Sequence, residues 1–131
     1  MNESDAMIDL IKRHSLILSL ALLAGVTGLS LTPLPEMPGV PGTDKAHHLI
    51  AYGAVMFPVA LRRAKSWLWM AAAFALWGGL IELAQPHVNR YGEWTDWLAN
   101  IAGLLCGALA AILVDVAASR FIKGRQRQGR E

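Results

Sequence analysis

Three residues at four-residue spacing, Asp44, His48 and Tyr52, have side chains that could carry out acid-base chemistry. Residues four apart on an α-helix lie one above the other, so this spacing stacks a carboxylate, an imidazole and a phenol on one face. A histidine oriented by a carboxylate is a common general base or nucleophile. The segment therefore predicts a helix whose first turns carry a reactive polar row.

A second polar group lies in the stretch QPHVNRYGEWTDWLAN, residues 85–100, which separates two strongly apolar runs. On a helix Asp96, Asn100, Gly103 and Gly107 fall within an arc of about 60°, so two polar side chains precede two glycines on one face. Glycines at this spacing allow another helix backbone to approach closely, and lipid cannot satisfy the Asn100 amide. This face is predicted to point toward other helices.

The apolar run before this stretch carries its own polar face. Glu82 and Gln85 share an arc of about 80° with three small residues, while leucines occupy the opposite side. The Glu82 carboxylate is thus predicted to point into the same interior. Two cations could neutralise the acids, since Arg90 is expected to pair with Glu82 or Asp96, and Lys45 to do likewise.

Three functions fit this polar set. The first is a site for a lipid-linked anionic or glycosylated ligand, bound by Lys45, His48, Tyr52, Gln85, Arg90 and Asn100. The second is an enzyme acting on a lipid-carrier phosphate or acyl group, with the catalytic candidates His48, Asp44, Glu82 and Asp96. The third is a structural or partner-binding subunit, in which the polar groups only hold the helices in register.

Metal and cofactor chemistry receives less support from the sequence. The chain has no hydrolase serine elbow, no phosphate-binding glycine loop and no metal-ligand cluster at a recognised spacing. His48 and the three acids near it are therefore interpreted as a chance gathering and not as ligands of a divalent ion. The prediction is no metal and no cofactor.

The elements that must position these residues are helices in a membrane. In 131 residues, 54% are hydrophobic and 17% charged, which is too apolar for an ordinary soluble domain. The apolar residues cluster in runs suited to crossing about 30 Å of hydrocarbon. The spans are predicted at 15–31, 48–61, 66–84 and 97–118. The fold class is thus an all-α membrane protein, a four-helix transmembrane bundle in a single domain of residues 1–131.

The distribution of basic residues predicts the orientation of this bundle. All lysines and arginines except Lys45 and Arg90 lie before the first span, between the second and third, or after the fourth. Short basic loops tend to stay in the cytoplasm, so both termini, with flanks 1–14 and 119–131, are predicted to be cytoplasmic and the polar set to face outward. The basic tail is too short and too poor in aromatics for nucleic-acid binding.

The segments DKAHHLIAYG and IELAQPHVNRYGEWTDWLANIAGLLCG resemble the VanZ-like family of small bacterial membrane proteins. That family's pattern is Asp-Lys-x-x-His-x-x-x-Tyr, then Glu-x-x-Gln, an arginine, and Asp-x-x-x-Asn-x-x-Gly-x-x-x-Gly. The pattern positions are filled by Asp44, Lys45, His48, Tyr52, Glu82, Gln85, Arg90, Asp96, Asn100, Gly103 and Gly107. The resemblance covers residues 44–107 and departs after Gln85, where many relatives have Pro-Gly before the arginine.

The resemblance implies a multi-pass protein of the bacterial inner (cytoplasmic) membrane that acts in the cell envelope. The family's founding member is an accessory factor for low-level resistance to the lipoglycopeptide antibiotic teicoplanin. The implied partners are therefore membrane lipids and a lipid-linked envelope precursor or a lipoglycopeptide. The family implies no reaction and no oligomeric state, so enzymatic activity stays open.

Overall fold

The computed structural model describes residues 3–33, 43–63 and 65–128, and every regular element in these ranges is helical. This confirms the predicted all-α class for the part of the chain described. The helices are α1 (Glu3–Arg13), α2 (Ser15–Leu31), α3 (Thr43–Leu61), α4 (Trp67–Ala84) and α5 (Trp94–Gln128), with a short 3-10 helix at Gln85–Val88. The end of the basic tail lies outside the described residues.

Two segments, Trp67–Val88 and Trp94–Phe121, are long and apolar enough to span a membrane. A third candidate arises if α1 and α2, which meet at an angle of 72°, form one broken span. Helix α3 is not among these candidates, because its first turns carry Asp44, Lys45 and two histidines. The described helices thus support two or three spans by length and composition, and the four-span arrangement stays a prediction.

Helix α1 is an element that the sequence analysis assigned only to a flank. Its acidic residues lie in the first turn and Lys12 and Arg13 in the last, which complements the helix dipole. Ile8 and Ile11 pack against the core, while Met7 and Leu10 are exposed. The alternation of charged and apolar residues therefore folds as a short amphipathic helix against the bundle.

Helix α3 lies at the centre of the bundle and packs most extensively against α5. A methyl group on Gly103 would overlap the carbonyl oxygen of Leu49, and one on Gly107 would overlap that of Gly53. The two backbones therefore touch along a seam of glycines, which is how small residues bring membrane helices together. Because neighbouring helices surround it, α3 can be less apolar than α4 and α5.

The outer surfaces of α4 and α5 are strongly apolar, as expected for helices that face lipid. The exposed large side chains on these two helices are Leu68, Trp69, Leu76, Trp77, Leu80, Leu83, Trp94, Leu98, Leu105, Leu109, Leu113, Val114 and Phe121. Polar and charged groups on the same helices are instead turned inward near the point where α4 ends and α5 begins.

Candidate functional site

The polar groups meet at one end of the bundle, where α3 and α5 begin and α4 ends. Two of them are buried carboxylates, with Glu82 5% exposed and Asp96 2% exposed. Gln85 and Asn100 are also buried, whereas the Asp44 side chain is 64% exposed. The cluster is therefore deep on the side of α4 and α5 and open at the start of α3.

His48 lies at the centre of the cluster with its ring fixed by Asn100. The Nδ1 atom lies 2.9 Å from the amide oxygen Oδ1 of Asn100. An amide oxygen can only accept, so Nδ1 carries the proton of this hydrogen bond, and in the neutral ring the lone pair resides on Nε2. That Nε2 atom lies 3.9 Å from Oδ1 of Asp44 and 3.8 Å from Oδ2 of Asp96. A lone pair thus faces two carboxylates without a hydrogen bond to either.

Lys45 lies at the open edge of the cluster. Its Nζ atom is 3.2 Å from Oε2 of Glu93 and 3.5 Å from Oδ1 of Asp96, so the predicted pairing with an acid is formed. The hydrogen bond from Lys45, together with one from Thr95, holds the pKa of Glu93 below its usual range. The lysine is nearly half exposed, which makes this a solvated pair at the rim.

Glu82 is held by the hairpin that follows α4. Its Oε2 atom accepts a hydrogen bond from the backbone N–H of Glu93 at 3.1 Å. With its amide nitrogen turned toward the carboxylate, Gln85 donates to the same oxygen at 2.9 Å and to the carbonyl of Tyr91 at 3.2 Å. The other oxygen, Oε1, is buried without a hydrogen-bond partner and lies 4.0 Å from Nδ1 of His48.

Tyr52 and Asn100 form the floor of the cluster beneath His48. Gly78 on α4 makes room for them, since a methyl group there would lie 2.9 Å from the Tyr52 hydroxyl and 3.0 Å from the Asn100 nitrogen Nδ2. The Tyr52 hydroxyl is buried and has no hydrogen-bond partner. The row Asp44, His48 and Tyr52 that the spacing predicted therefore lies on the face of α3 that meets α4 and α5.

Arg90 does not make the ion pair that was predicted for it. Its Nη1 atom donates to the carbonyl oxygens of Leu29 and Thr32, both at 3.2 Å, at the end of α2. Those carbonyls lack helical partners, so a guanidinium finds acceptors there. The turn directs it, because Asn89 ends the 3-10 helix with a left-handed φ of 59°. This is the segment that departs from the family pattern.

The charges of the cluster do not balance. Four carboxylates, from Asp44, Glu82, Glu93 and Asp96, lie around one lysine and one histidine, and Lys45 is paired with two of them, Glu93 and Asp96. Oxygen Oδ1 of Asp96 is buried without a hydrogen bond, as is Oε1 of Glu82. Such a site is suited to groups that donate hydrogen bonds or carry positive charge, and it is poorly suited to a bare anion.

Three of these residues could together hold a metal ion. Asp44, His48 and Asp96 each place one ligand atom within 4.8 Å of the others. The sequence analysis predicted no metal, because no ligand motif is visible along the chain. The grouping depends on a residue from α5 joining two from α3, and the sequence analysis interpreted the nearness of these residues as a chance gathering.

Glu93 is the site residue that the sequence analysis missed. It bonds to Lys45 through its side chain and to Glu82 through its backbone N–H, and its carbonyl accepts from the backbone N–H of Asp96. The signal available was an acidic residue directly before a helix, a position that suits the helix dipole. It lies within the hairpin between α4 and α5, so it could have been placed near Lys45.

The chain matches no protein-family model, no curated protein and no solved structure.

Proposed function

We propose that the chain is a four-helix protein of the bacterial inner membrane whose outward-facing polar cluster binds the glycosylated head of a lipid-linked envelope ligand. The observation that carries this proposal is a pair of buried carboxylate oxygens without a hydrogen bond in a cluster open at Asp44, namely Glu82 Oε1 and Asp96 Oδ1, the latter ion-paired with Lys45 at 3.5 Å. The orientation rests on the distribution of lysine and arginine, with both termini in the cytoplasm.

A glycosylated head fits the charge of the cluster better than an anionic one. Sugar hydroxyls donate hydrogen bonds to carboxylates, and the amides of Gln85 and Asn100 can donate or accept. An anion would meet four carboxylates with Lys45 alone to attract it, because Arg90 is engaged at the end of α2. Of the two ligand classes that the sequence left open, the glycosylated one is therefore preferred.

An apolar groove on the same bundle supports a ligand with a lipid tail. The groove has a volume of about 560 Å³ and lies between α2, α3 and α5, where Leu22, Ile50 and Phe57 are among its lining residues. Leu49 and Ile50, which follow His48 directly, belong to this lining. A ligand could thus place its head among the polar groups and an acyl chain against the neighbouring face of α3.

A purely structural role is less well supported by the same contacts. A network that only locks helices together would pair its buried polar atoms with one another, because each unpaired one costs free energy. Here the Tyr52 hydroxyl and one oxygen each of Glu82 and Asp96 lack hydrogen bonds. Buried oxygens without hydrogen bonds are suited to a ligand that supplies the missing hydrogen-bond donors.

The binding proposal can be tested on the full chain in detergent by native mass spectrometry. The probes are glucosyl diacylglycerol, the same diacylglycerol without sugar, and phosphatidylglycerol. The parent should retain the glucosyl lipid, and Asp96→Asn should weaken retention by about tenfold, the effect of one charged hydrogen bond. His47→Gln is the matched control, because His47 is exposed on the same helix. Equal retention of the lipid without sugar would overturn the proposal, and preference for phosphatidylglycerol would restore the anionic alternative.

The VanZ-like resemblance adds an expectation in cells. A glycosylated lipid-tailed ligand includes lipoglycopeptide antibiotics, so expression of the parent should raise the teicoplanin concentration that inhibits a susceptible host. The Asp96→Asn protein, present in the membrane at the same level, should not. Equal protection by both proteins would show that resistance to teicoplanin does not depend on this site.

The orientation of His48 favours an enzyme as the second candidate function. Its proton is held on Nδ1 by Asn100, which leaves Nε2 free as a base beside the exposed Asp44. If a reaction occurs on the bound lipid, His48→Gln should abolish product formation and leave retention of the glucosyl lipid unchanged. Loss of retention together with turnover would instead assign His48 to binding.

A further inference from the structure

The geometry points to a divalent transition-metal site formed by Asp44, His48 and Asp96. One imidazole nitrogen and two carboxylate oxygens are a donor set typical of ions such as Zn²⁺ and Mn²⁺. Each of the three residues has a ligand atom within 4.8 Å of the other two. The sequence brings these residues together with Glu82 but interprets the group as a chance gathering, because two come from α3 and one from α5 and no ligand motif joins them.

The distances leave room for an ion between the three side chains. Nε2 of His48 is 3.9 Å from Oδ1 of Asp44 and 3.8 Å from Oδ2 of Asp96. Direct hydrogen bonds would be about 1 Å shorter. The three ligand atoms lie within 4.8 Å of one another, so a point equidistant from them is about 2.0–2.5 Å from each, close to the usual length of a metal bond to imidazole or carboxylate.

His48 already has the tautomer that a metal ligand requires. Its Nδ1 donates to the Asn100 oxygen at 2.9 Å, so the lone pair on Nε2 faces the two carboxylates. Histidine ligands in metal sites commonly donate their other ring N–H to such an acceptor, which fixes the orientation of the ring. Asn100 is buried at the floor of the cluster and is therefore a positioning residue for His48.

The charge of the cluster provides an independent reason for a cation. Asp96 is 2% exposed, and its Oδ1 atom has no hydrogen-bond partner. A buried carboxylate is costly unless a cation or a donor compensates it. Lys45 lies 3.5 Å away but hydrogen-bonds to Glu93 at the exposed rim, so it compensates the acid only in part.

Three protein ligands leave at least one coordination position for another molecule, and the exposed Asp44 places that position at the opening. A hydroxyl or phosphate oxygen of the ligand could occupy it, which would also reconcile an anionic group with this acidic cluster. That role of the ion rests on the proposed function. Binding of the ion itself does not, because it can be measured with the metal alone.

The experiment is equilibrium dialysis of the full chain in detergent against ZnCl2 and, separately, MnCl2, with bound metal measured by mass spectrometry. The parent should bind one ion per chain after removal of adventitious metal with a chelator. His48→Gln and Asp44→Asn should each weaken binding by about tenfold or more. His47→Gln and His87→Gln are matched controls that remove exposed histidines outside the three-residue group and should bind as the parent does.

The Asp44→Asn variant guards against misfolding as an explanation, because Asp44 is exposed and its replacement is isosteric. Circular dichroism and thermal unfolding should match those of the parent. Absence of a bound ion in the parent, or an affinity equal to the parent's in both Asp44→Asn and His48→Gln, would overturn the metal site. If the parent binds no ion but still retains the glucosyl lipid, the proposed function stands without the metal site. If the parent binds the ion but does not retain the glucosyl lipid, the metal site stands and the proposed function is overturned.

Discussion

The two ends of the bundle differ in how far the carboxylate of an aspartate on α5 is paired with cations. At the end where α3 finishes, Asp115 lies against two cations, with its Oδ2 atom 3.0 Å from Nε of Arg63 and its Oδ1 atom bonded to Nζ of Lys12. At the other end Asp96 shares Lys45 with Glu93, and the carboxylates of Asp44 and Glu82 lie beside His48. The two aspartates lie about 28 Å apart along α5 at 1.5 Å per residue.

This difference separates a group that stabilises the fold from a group kept available for a ligand. Asp115 joins α5 to α1 and to the end of α3, so its charge is used within the protein. Asp96 has a buried oxygen with no hydrogen bond, and Lys45, 3.5 Å away and hydrogen-bonded to Glu93, compensates its charge only in part. Ionisable groups inside membrane proteins that are not neutralised internally commonly mark functional sites.

The largest expected effect comes from breaking the seam that holds both ends together. Gly107→Leu places a side chain where the Gly53 carbonyl lies against α5, and neither backbone can yield without separating the helices. We expect a loss of more than about 3 kcal/mol in the free energy of unfolding, or no folded protein at all. Denaturation followed by tryptophan fluorescence measures it.

Gly28→Leu is the matched control for the seam, because a side chain at Gly28 on α2 meets nothing within 4 Å. It should change the free energy of unfolding by less than about 0.5 kcal/mol. If both leucine variants unfolded equally easily, the close contact of α3 and α5 would not be what positions the two ends.

A matched pair of isosteric substitutions tests the difference between the ends directly. Asp115→Asn leaves Lys12 and Arg63 facing each other without a carboxylate and should lower the free energy of unfolding by about 1–3 kcal/mol. Asp96→Asn removes a charge that the protein does not balance, so stability should stay within about 1 kcal/mol of the parent or rise. Thermal unfolding of both variants in the same detergent gives the comparison.

In binding assays Asp96→Asn should have the larger effect of the two substitutions, the reverse of their order in stability. Asp115→Asn should retain glucosyl diacylglycerol as well as the parent does, while Asp96→Asn should lose it. An Asp96→Asn protein that is less stable than the parent but retains the lipid normally would mean that Asp96, like Asp115, serves to stabilise the fold.

The apolar runs made the helices predictable from the sequence. The predicted first span coincides with α2, and the predicted third span begins one residue before α4. The residues that would share a face in each helix could also be listed, because helical periodicity requires no tertiary information. The gathering of His48, Glu82, Asp96 and Asn100 at one end follows from those faces together with the order of the spans.

The ion pairs could not be predicted in the same way. Arg90 turns toward α2 because of the left-handed backbone at Asn89, which is a property of the turn and not of any periodic face. Helix α1 was not predicted as a separate element, because its apolar residues are too few for a membrane span. Glu93 lies in the hairpin, where pairing depends on three-dimensional geometry.

The smallest expected effect concerns the rim of the open end, where Glu93, at 3.2 Å, lies closer to Lys45 than Asp96 does. The lysine holds the pKa of Glu93 below its usual range, so Lys45→Met should raise that pKa toward the usual value, with part of the lowering kept by Thr95. In the parent, the pair stabilises the fold above the usual pKa of a glutamate and loses this contribution as the pH falls through the lowered pKa. NMR titration of carboxyl-labelled glutamate measures the change, and Lys65→Met, an exposed lysine at the closed end, is the control. An unchanged Glu93 pKa in Lys45→Met would mean that the lysine is free at the rim and available to Asp96, which would weaken the case for an uncompensated charge there.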